Sequence, residues 1–345
     1  MQRKLASLQT VLAVEPIANA DAIELVRING WQCVTKKGEF VSGDTGVFFE
    51  IDAVPPDDAR FRFLWTPRTA LLGDEPTPRP DKFRIRTMRL RGALSQGLFL
   101  SLTAFPEIVG IPTAGDDLTE MLGVGKYEPP APVGMGDYRA PFPPMVPKTD
   151  EMRVQSVPAV LNELRGLPYA ATLKYDGTSA TYATDPRTGE FHVASRNLSL
   201  KDGNNPYWNM ARRHDIESVL RRTPNYAMQG EIVGVGIQKN PLALKEVALF
   251  VFNVYDMTRA AYLDHDAART FCAENGLDMV ATVETGESFS HTQESLLSLA
   301  EGKYPGTKNE REGIVIRPLT ETFSVTLGGR LSFKAISNRY LLAEE

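Results

Sequence analysis

Several short stretches set a charged or aromatic side chain among apolar neighbours in a way that exposed loops do not require. K-Y-D-G at 174–177 follows one apolar run and precedes another, with Lys174 two residues before Asp176 and three before Gly177. A lysine at the end of a buried strand is partly desolvated, which favours the neutral, nucleophilic amine. The glycine permits a tight turn and the close approach of a ligand to the backbone. Taken alone, K-x-D-G is more often an exposed lysine beside a turn. A-S-R-N-L (194–198) puts Arg196 at a strand end, and Q-G-E-I-V-G-V-G (229–236) interrupts an apolar strand with Glu231. L-F-V-F-N-V-Y-D (249–256) carries Phe250 and Phe252, residues that serve core packing more often than ligand stacking. R-E-G-I-V-I-R (311–317) sets Glu312 just before an apolar strand, and L-S-F-K-A-I-S-N (331–338) sets Lys334 inside one. An inward-facing lysine must find a partner or shift its pKa, because an unpaired buried charge is costly.

The elements that must position these groups follow from periodicity and punctuation. Strands are expected at 170–175, 190–195, 228–234, 247–254, 313–317 and 331–336, and helices at 156–165, 205–222, 264–275 and 292–302. This mixed order indicates α+β rather than a doubly wound sheet. The glycines of 230–236 lack the Walker lysine spacing and a following helix signal, so a phosphate loop of that kind fits poorly. The first third reads as short strands. I-E-L-V-R-I (23–28) runs into Asn29-Gly30, a strong hairpin signal, and W-Q-C-V-T resumes; G-D-T-G-V-F-F-E-I (43–51) and G-L-F-L-S-L (97–102) follow. Short strands at this spacing without helices suggest a small barrel. Pro129, Pro130, Pro132, Pro141, Pro143, Pro144 and Pro147, with Gly134 and Gly136, mark a semi-rigid linker, since proline at this density opposes helix and sheet.

Composition narrows the setting. The N-terminus M-Q-R-K-L-A-S-L lacks a long apolar run, and no stretch approaches eighteen unbroken apolar residues, so neither a signal peptide nor a membrane span is expected. Two distant cysteines and four scattered histidines give no disulfide framework or zinc pattern. A cytoplasmic protein is expected. The net charge of −5 speaks against nucleic acid as a whole-chain property, but binding needs only one positive face. Residues 79–91 supply one: Arg79, Lys82, Arg84, Arg86, Arg89 and Arg91 stand against the single Asp81. Period-2 alternation places Arg84 and Arg86 on one strand face, and Arg89 and Arg91 on another. Six cations exceed what protecting an edge strand needs, so phosphate contact is favoured.

Two resemblances emerge from these stretches. Residues 12–102, through N-A-D-A-I-E-L-V, G-E-F-V-S-G-D-T-G-V-F-F-E-I-D-A-V-P-P and R-G-A-L-S-Q-G-L, resemble the OB-fold tRNA-binding domain appended to some aminoacyl-tRNA synthetases. Residues 148–345 resemble the covalent nucleotidyltransferases, the superfamily of polynucleotide ligases and mRNA capping enzymes. K-Y-D-G matches their adenylation motif, and E-G-I-V-I-R and S-F-K-A-I-S match two late motifs. Within the superfamily, S-R-N-L, G-E-I-V-G-V-G-I-Q-K-N and F-V-F-N-V-Y-D are similar to the ATP-dependent RNA ligases of the nick-sealing branch, one form of which carries its OB domain first. Only eleven residues follow Lys334, too few for the OB domain that DNA ligases and capping enzymes place there. The implied architecture is an N-terminal OB-fold β-barrel (1–120), a Pro-rich linker (121–147) and an α+β nucleotidyltransferase domain with antiparallel sheets (148–345).

The resemblance also implies roles. Lys174 would attack the α-phosphate of ATP and carry AMP as a phosphoramidate, its pKa lowered by a bound metal and a neighbouring cation. Asp176, Glu231 and Glu312 would supply carboxylates for a hydrated Mg²⁺ or Mn²⁺. Lys334 would contact the α-phosphate, Arg196 the ribose or the nucleic-acid 5′-phosphate, and Phe252 the adenine. Lys148, Thr149, Arg153 and Gln155 would touch adenine or the triphosphate, and Gly177 belongs to the ATP-binding turn. Arg84, Arg86 and Arg89 would hold RNA, or an RNA-containing duplex, with 3′-OH and 5′-phosphate ends. The last motif of related ligases often holds two lysines one residue apart. Here Ser332 and Ile336 flank Lys334 at that spacing, which leaves Arg317 or Arg330 as the second cation. Two alternatives stay open: a DNA ligase or capping-type transferase, and a non-catalytic nucleic-acid-binding module.

Overall fold

Asn29 adopts φ 48°, the left-handed conformation that asparagine tolerates better than most residues, and Ile28 faces Trp31 across the two-residue loop. This hairpin starts a five-stranded antiparallel sheet in the spatial order Trp31–Lys36, Ile23–Ile28, Ala6–Pro16, Thr45–Phe49, Leu98–Ser101. The eleven-residue strand Ala6–Pro16 pairs with Thr45–Phe49 through its first half and with Ile23–Ile28 through its second. A register shift between Val11 and Ala13 marks the change of partner, and such irregularities bend a strand and curl its sheet. Leu8, Val47, Phe49, Phe61 and Phe105 pack into one core cluster, with Phe49 and Phe61 edge to face at 5.2 Å.

The computed structural model describes residues 3–66, 77–110, 113–128 and 136–343, and the chain divides into two compact units, Met1–Pro130 and Ala131–Glu344. Of the proline-rich stretch, Pro129, Pro130, Pro132 and Gly134 lie outside the described residues. Proline density was expected to oppose sheet, yet Tyr138–Pro141 forms an edge strand against Leu198–Leu200. Its proline stands at the strand end, on an edge, where a missing donor costs no ladder bond. Val146 is buried with Ala183 and Ala227, so this part of the stretch packs into the second unit.

Two large sheets build most of that unit, beside a two-stranded ribbon of Phe323–Ser324 and Gly329–Arg330. One has seven antiparallel strands, Tyr138–Pro141, Leu198–Leu200, Phe191–Ala194, Thr178–Thr184, Tyr226–Val233, Ala248–Asp256 and Ala261–Tyr262 in spatial order. The other runs Met152–Arg153, Phe333–Ile336, Gly313–Pro318, Tyr169–Lys174, Thr282–Gly286. Its one departure from antiparallel pairing is Met152–Arg153, parallel to Phe333–Lys334. The expected helix over 205–222 is two helices, Pro206–Arg213 and Ile216–Arg222, separated by Asp215 at φ 46°. Asn205 caps the first by accepting from Trp208 N–H at 3.0 Å, with Pro206 at its first turn. Over 156–165 only Val160–Leu164 is helical, since a proline at 158 favours extended backbone before it.

Candidate active site

The K-Y-D-G turn is where the chain leaves one sheet for the other. Tyr169–Lys174 belongs to the five-stranded sheet and Thr178–Thr184 to the seven-stranded one. Lys174 lies opposite Gly313, so register brings the preceding Glu312 alongside it. Lys174 Nζ stands 2.8 Å from each carboxylate oxygen of Glu312. Close strand approach demands both glycines. A Cβ on Gly313 would fall 2.2 Å from Ala335 O, and one on Gly177 would fall 2.3 Å from Ile232 O. Gly177 is thus required by its close approach to the neighbouring strand Tyr226–Val233 at Ile232, a reason distinct from ligand approach.

Glu231 reaches the same place from the other sheet, on Tyr226–Val233 opposite Ser179. Burial pushes its carboxyl up to about 8, and the neighbouring Glu312 and Asp176 add to the rise against the pull of Lys174. Burial also works to lower the Lys174 pKa, but Glu312 and then Glu231 outweigh it and hold the amine above the usual lysine range. The lowered pKa expected for this lysine is therefore not what its protein neighbours produce: two carboxylates stabilise the ammonium. Among the described residues, no group of three His, Cys, Asp or Glu side chains is arranged to hold a metal ion by itself. Asp176, Glu231 and Glu312 share a field without forming a closed cage.

Lys334, on Phe333–Ile336, lies opposite Val315 on the strand that also pairs with Lys174. Burial pushes its amine down to about 8; Asp150 opposes this, while Lys174 and Arg153 add to it. Asp150 Oδ1 is 3.4 Å from Lys334 Nζ, and Asp150 Oδ2 is 3.0 Å from Arg196 Nη2. One carboxylate thus bridges two of the expected phosphate ligands. Arg153 is buried in the strand beside Lys334. Gln155 is also buried. Lys148 donates to Asn197 Oδ1 at 3.3 Å and lies 5.7 Å from the Phe142 ring centroid. Phe252 is half-buried against a cluster containing Leu173, Tyr175 and Tyr304, beside the Lys174 strand.

Both arginines named as the second cation are held by carboxylates and other protein partners. Arg317 Nη2 donates to Glu151 at 2.8 Å, Nε to Ser332 Oγ at 3.0 Å and Nη1 to Phe252 O at 3.0 Å. Arg330 pairs with Glu321, donates to Asn253 Oδ1 at 2.6 Å and lies 4.1 Å from the Tyr262 ring centroid. Burial works to raise the Glu151 carboxyl, but Arg317 holds it down at about 2. These arginines join a part-buried network that links the two sheets through Phe252 O and Asn253 Oδ1.

Tyr304 had no part in the sequence expectations. Its Oη donates to Lys174 O at 3.0 Å and accepts from Asp176 N–H at 3.0 Å and Glu312 N–H at 3.2 Å. In sequence, Y-P-G reads only as a turn.

In the first unit the basic run is divided. Arg84 is packed 4.4 Å from the Tyr127 ring centroid and 3.4 Å from Asp52 Oδ1. Arg86 is exposed, and both arginines precede the strand Thr87–Leu90 instead of sharing its face. Arg89 is exposed on that strand, which forms a hairpin with Ala93–Gln96. Among the described residues, no helix is long and apolar enough to cross a membrane.

Comparison with known proteins supplies the context. Residues 5–102 match a model described as an OB-fold domain, and residues 167–336 match a model described as RNA ligase. Among solved structures, the chain is 37% identical to a Naegleria gruberi RNA ligase solved with PPi, over 99% of this chain and 98% of that one, with TM-score 0.86. A mutant of that ligase with ATP and Mn gives 36% identity, 98% of each chain and TM-score 0.86. Another mutant, with AMP and Mn, gives 37%, 98% of each chain and 0.86. No curated protein sequence matches.

Proposed function

Since this chain belongs to the RNA ligase family, we propose that it joins a 3′-hydroxyl to a 5′-phosphate of RNA, or of an RNA-containing duplex at a nick, using ATP and a covalent lysyl-AMP on Lys174. The observation that carries this reading is the amine of Lys174 set 2.8 Å from Glu312 at the crossover of two sheets. Glu231, Asp176 and Lys334 supply the surrounding charges.

Lys174 Nζ must lose a proton before it can attack, and Glu312 is the acceptor within reach. The amine then forms a P–N bond to the α-phosphate as pyrophosphate departs. An oxygen of the RNA 5′-phosphate displaces the lysine from phosphorus, giving an adenylylated 5′ end and freeing Lys174. The 3′-hydroxyl oxygen next attacks the RNA phosphate and AMP leaves. Lys334 provides positive charge for phosphate oxygens, which is worth most where charge develops in the transition state. Arg196, which shares the partner Asp150 with Lys334, supplies a second positive charge to the same ligand. Phe252 offers an apolar face for adenine.

The donor set fits a divalent cation held jointly with the nucleotide. Carboxylate oxygens are the ligands such ions prefer, Mg²⁺ keeps several waters and needs only one or two carboxylates, and the mutual repulsion that raises Glu231 is relieved by positive charge. Bound there, Mg²⁺ or Mn²⁺ supplies charge neutralisation at the α-phosphate. Arg86 and Arg89, exposed together with Lys82 and Arg91 of the same basic run, are suited to backbone phosphates.

The test is incubation with ATP labelled at the α-phosphate in the presence of Mg²⁺ or Mn²⁺. Label resistant to denaturation and absent from Lys174→Ala is expected. No label, or label retained by that variant, overturns the reading. Sealing of nicks with RNA or DNA at the 3′-hydroxyl then identifies the acceptor.

A further inference from the structure

A buried tyrosine hydroxyl needs one partner to avoid a desolvation cost. Tyr304 is 1% exposed, and its hydroxyl has three partners, the full capacity of one O–H donor and two lone pairs. None is an incidental main-chain group. They are the carbonyl of Lys174 and the N–H groups of Asp176 and Glu312. Each of those residues sends its own side chain into the candidate active site, and they come from segments more than a hundred residues apart. A single phenol oxygen therefore fixes the main chain of the lysine strand, of the turn after it and of the carboxylate segment that meets it.

The loop that delivers Tyr304 is itself anchored. Its neck closes through Arg311 N–H to Gly302 O at 2.8 Å, and Tyr304 N–H donates to Asn309 O at 3.1 Å. Arg311 Nε donates to Ala300 O at 3.1 Å and its Nη2 to Glu301 O at 2.8 Å. These are carbonyls at and just past the end of the helix Gln293–Ala300, which otherwise lack intrahelical partners. Asn309 Nδ2 reaches Pro241 O at 2.7 Å, in the segment that follows the Glu231 strand. The ring packs beside Tyr175, 6.0 Å between centroids. A loop tied at both flanks holds the hydroxyl in one place.

We propose that Tyr304 is a positioning residue for lysine adenylylation: its hydroxyl sets the separation of Lys174 from Glu312, and hence the attack geometry of the amine. It touches no reacting atom and acts through main chain alone. This rests on the lysyl-AMP reading above. A displacement of an ångström in a near-attack arrangement costs about 10²-fold in rate, so a lost clamp is felt in the transfer step and not in nucleotide affinity.

Tyr304→Phe keeps the ring and removes the clamp. Single-turnover self-adenylylation should slow by about 10- to 100-fold at saturating ATP, with half-saturating ATP unchanged. In a Glu312→Gln background the same change should add little, because the distance it controls no longer matters. A transfer rate equal to wild type overturns the proposal. So does a loss confined to ATP affinity, or an undiminished loss in the Glu312→Gln background. Should Tyr304→Phe fail to fold, Arg311→Lys decides. That substitution loosens the loop at the helix end, and it should slow transfer in the same direction by a smaller factor, whereas a wild-type rate overturns the proposal. A wild-type chain that takes no label overturns the lysyl-AMP reading and this inference together. Failure of the inference alone shows as normal labelling by both proteins.

Discussion

Lys174 and Lys334 occupy the two strands that flank Gly313–Pro318, and their side chains are similarly enclosed, 26% and 18% exposed. Their amines are nonetheless driven in opposite directions. Burial lowers both. At Lys174 the two oxygens of Glu312 at 2.8 Å, with Glu231 behind them, reverse the effect and raise the pKa. At Lys334 Asp150 stands 3.4 Å away and Glu151 adds a smaller pull, but burial with repulsion from Lys174 and Arg153 outweighs them, so the amine falls to about 8. Enclosure alone says little about a buried lysine. The sign and number of charges within a few ångströms decide its proton.

The strongest way to break this contrast is to remove the weaker-paired cation. Lys334→Met should reduce self-adenylylation by about 10²–10³-fold, the usual cost of losing a charge aimed at a transition state. Rapid-quench labelling measures it, and near-wild-type turnover would dismiss Lys334 as a phosphate contact. Next, Glu312→Gln should lower the pKa of Lys174. The pH midpoint for labelling of Lys174 by an amine-directed acylating reagent, read by mass spectrometry, should move down while AMP transfer weakens. An unmoved midpoint would mean Glu312 is not what holds the proton.

A smaller effect lies in stability against pH. Glu231 binds its proton up to about 8 in the folded chain, against an ordinary 4.5. Between those values the folded state holds more protons than the unfolded one, so stability falls as pH rises through the window. Glu231→Gln should flatten that slope in thermal unfolding followed across the window. An unchanged slope would assign the effect to other groups. Smallest, the same contrast between paired and unpaired charge applies to the arginines of the first unit. Arg86→Gln should lessen the salt dependence of RNA binding by about one unit of logarithmic slope. Arg84→Gln, which loses Tyr127 and Asp52, should instead lower the melting temperature, and equal binding losses from both would erase the distinction.

Sequence patterns located the strands that carry these groups because apolar runs bounded by turns are local signals. Tyr169–Lys174, Tyr226–Val233, Ala248–Asp256, Gly313–Pro318 and Phe333–Ile336 lie within a residue or two of expectation. Thr178–Thr184 was missed. T-S-A-T-Y-A-T has little apolar contrast, and its strand character comes from lying between two others in the seven-stranded sheet. The partners of Arg317 and Arg330 were not legible for a related reason. The carboxylate that holds Arg317 is Glu151, 166 residues away, and no spacing rule reports such a partner.

Residue types and periodicity alone determined which charged groups are carried by buried strands, because side-chain chemistry and alternation are written locally. Only the tertiary structure decided how those groups behave. It placed Glu312 within 2.8 Å of Lys174 and left Lys334 more weakly paired with Asp150 at 3.4 Å, and it brought main-chain groups from two segments far apart in the chain to one tyrosine hydroxyl. The physical reason is that Coulomb and hydrogen-bond energies depend on distances of a few ångströms, and register across sheets sets those distances between residues far apart in the chain.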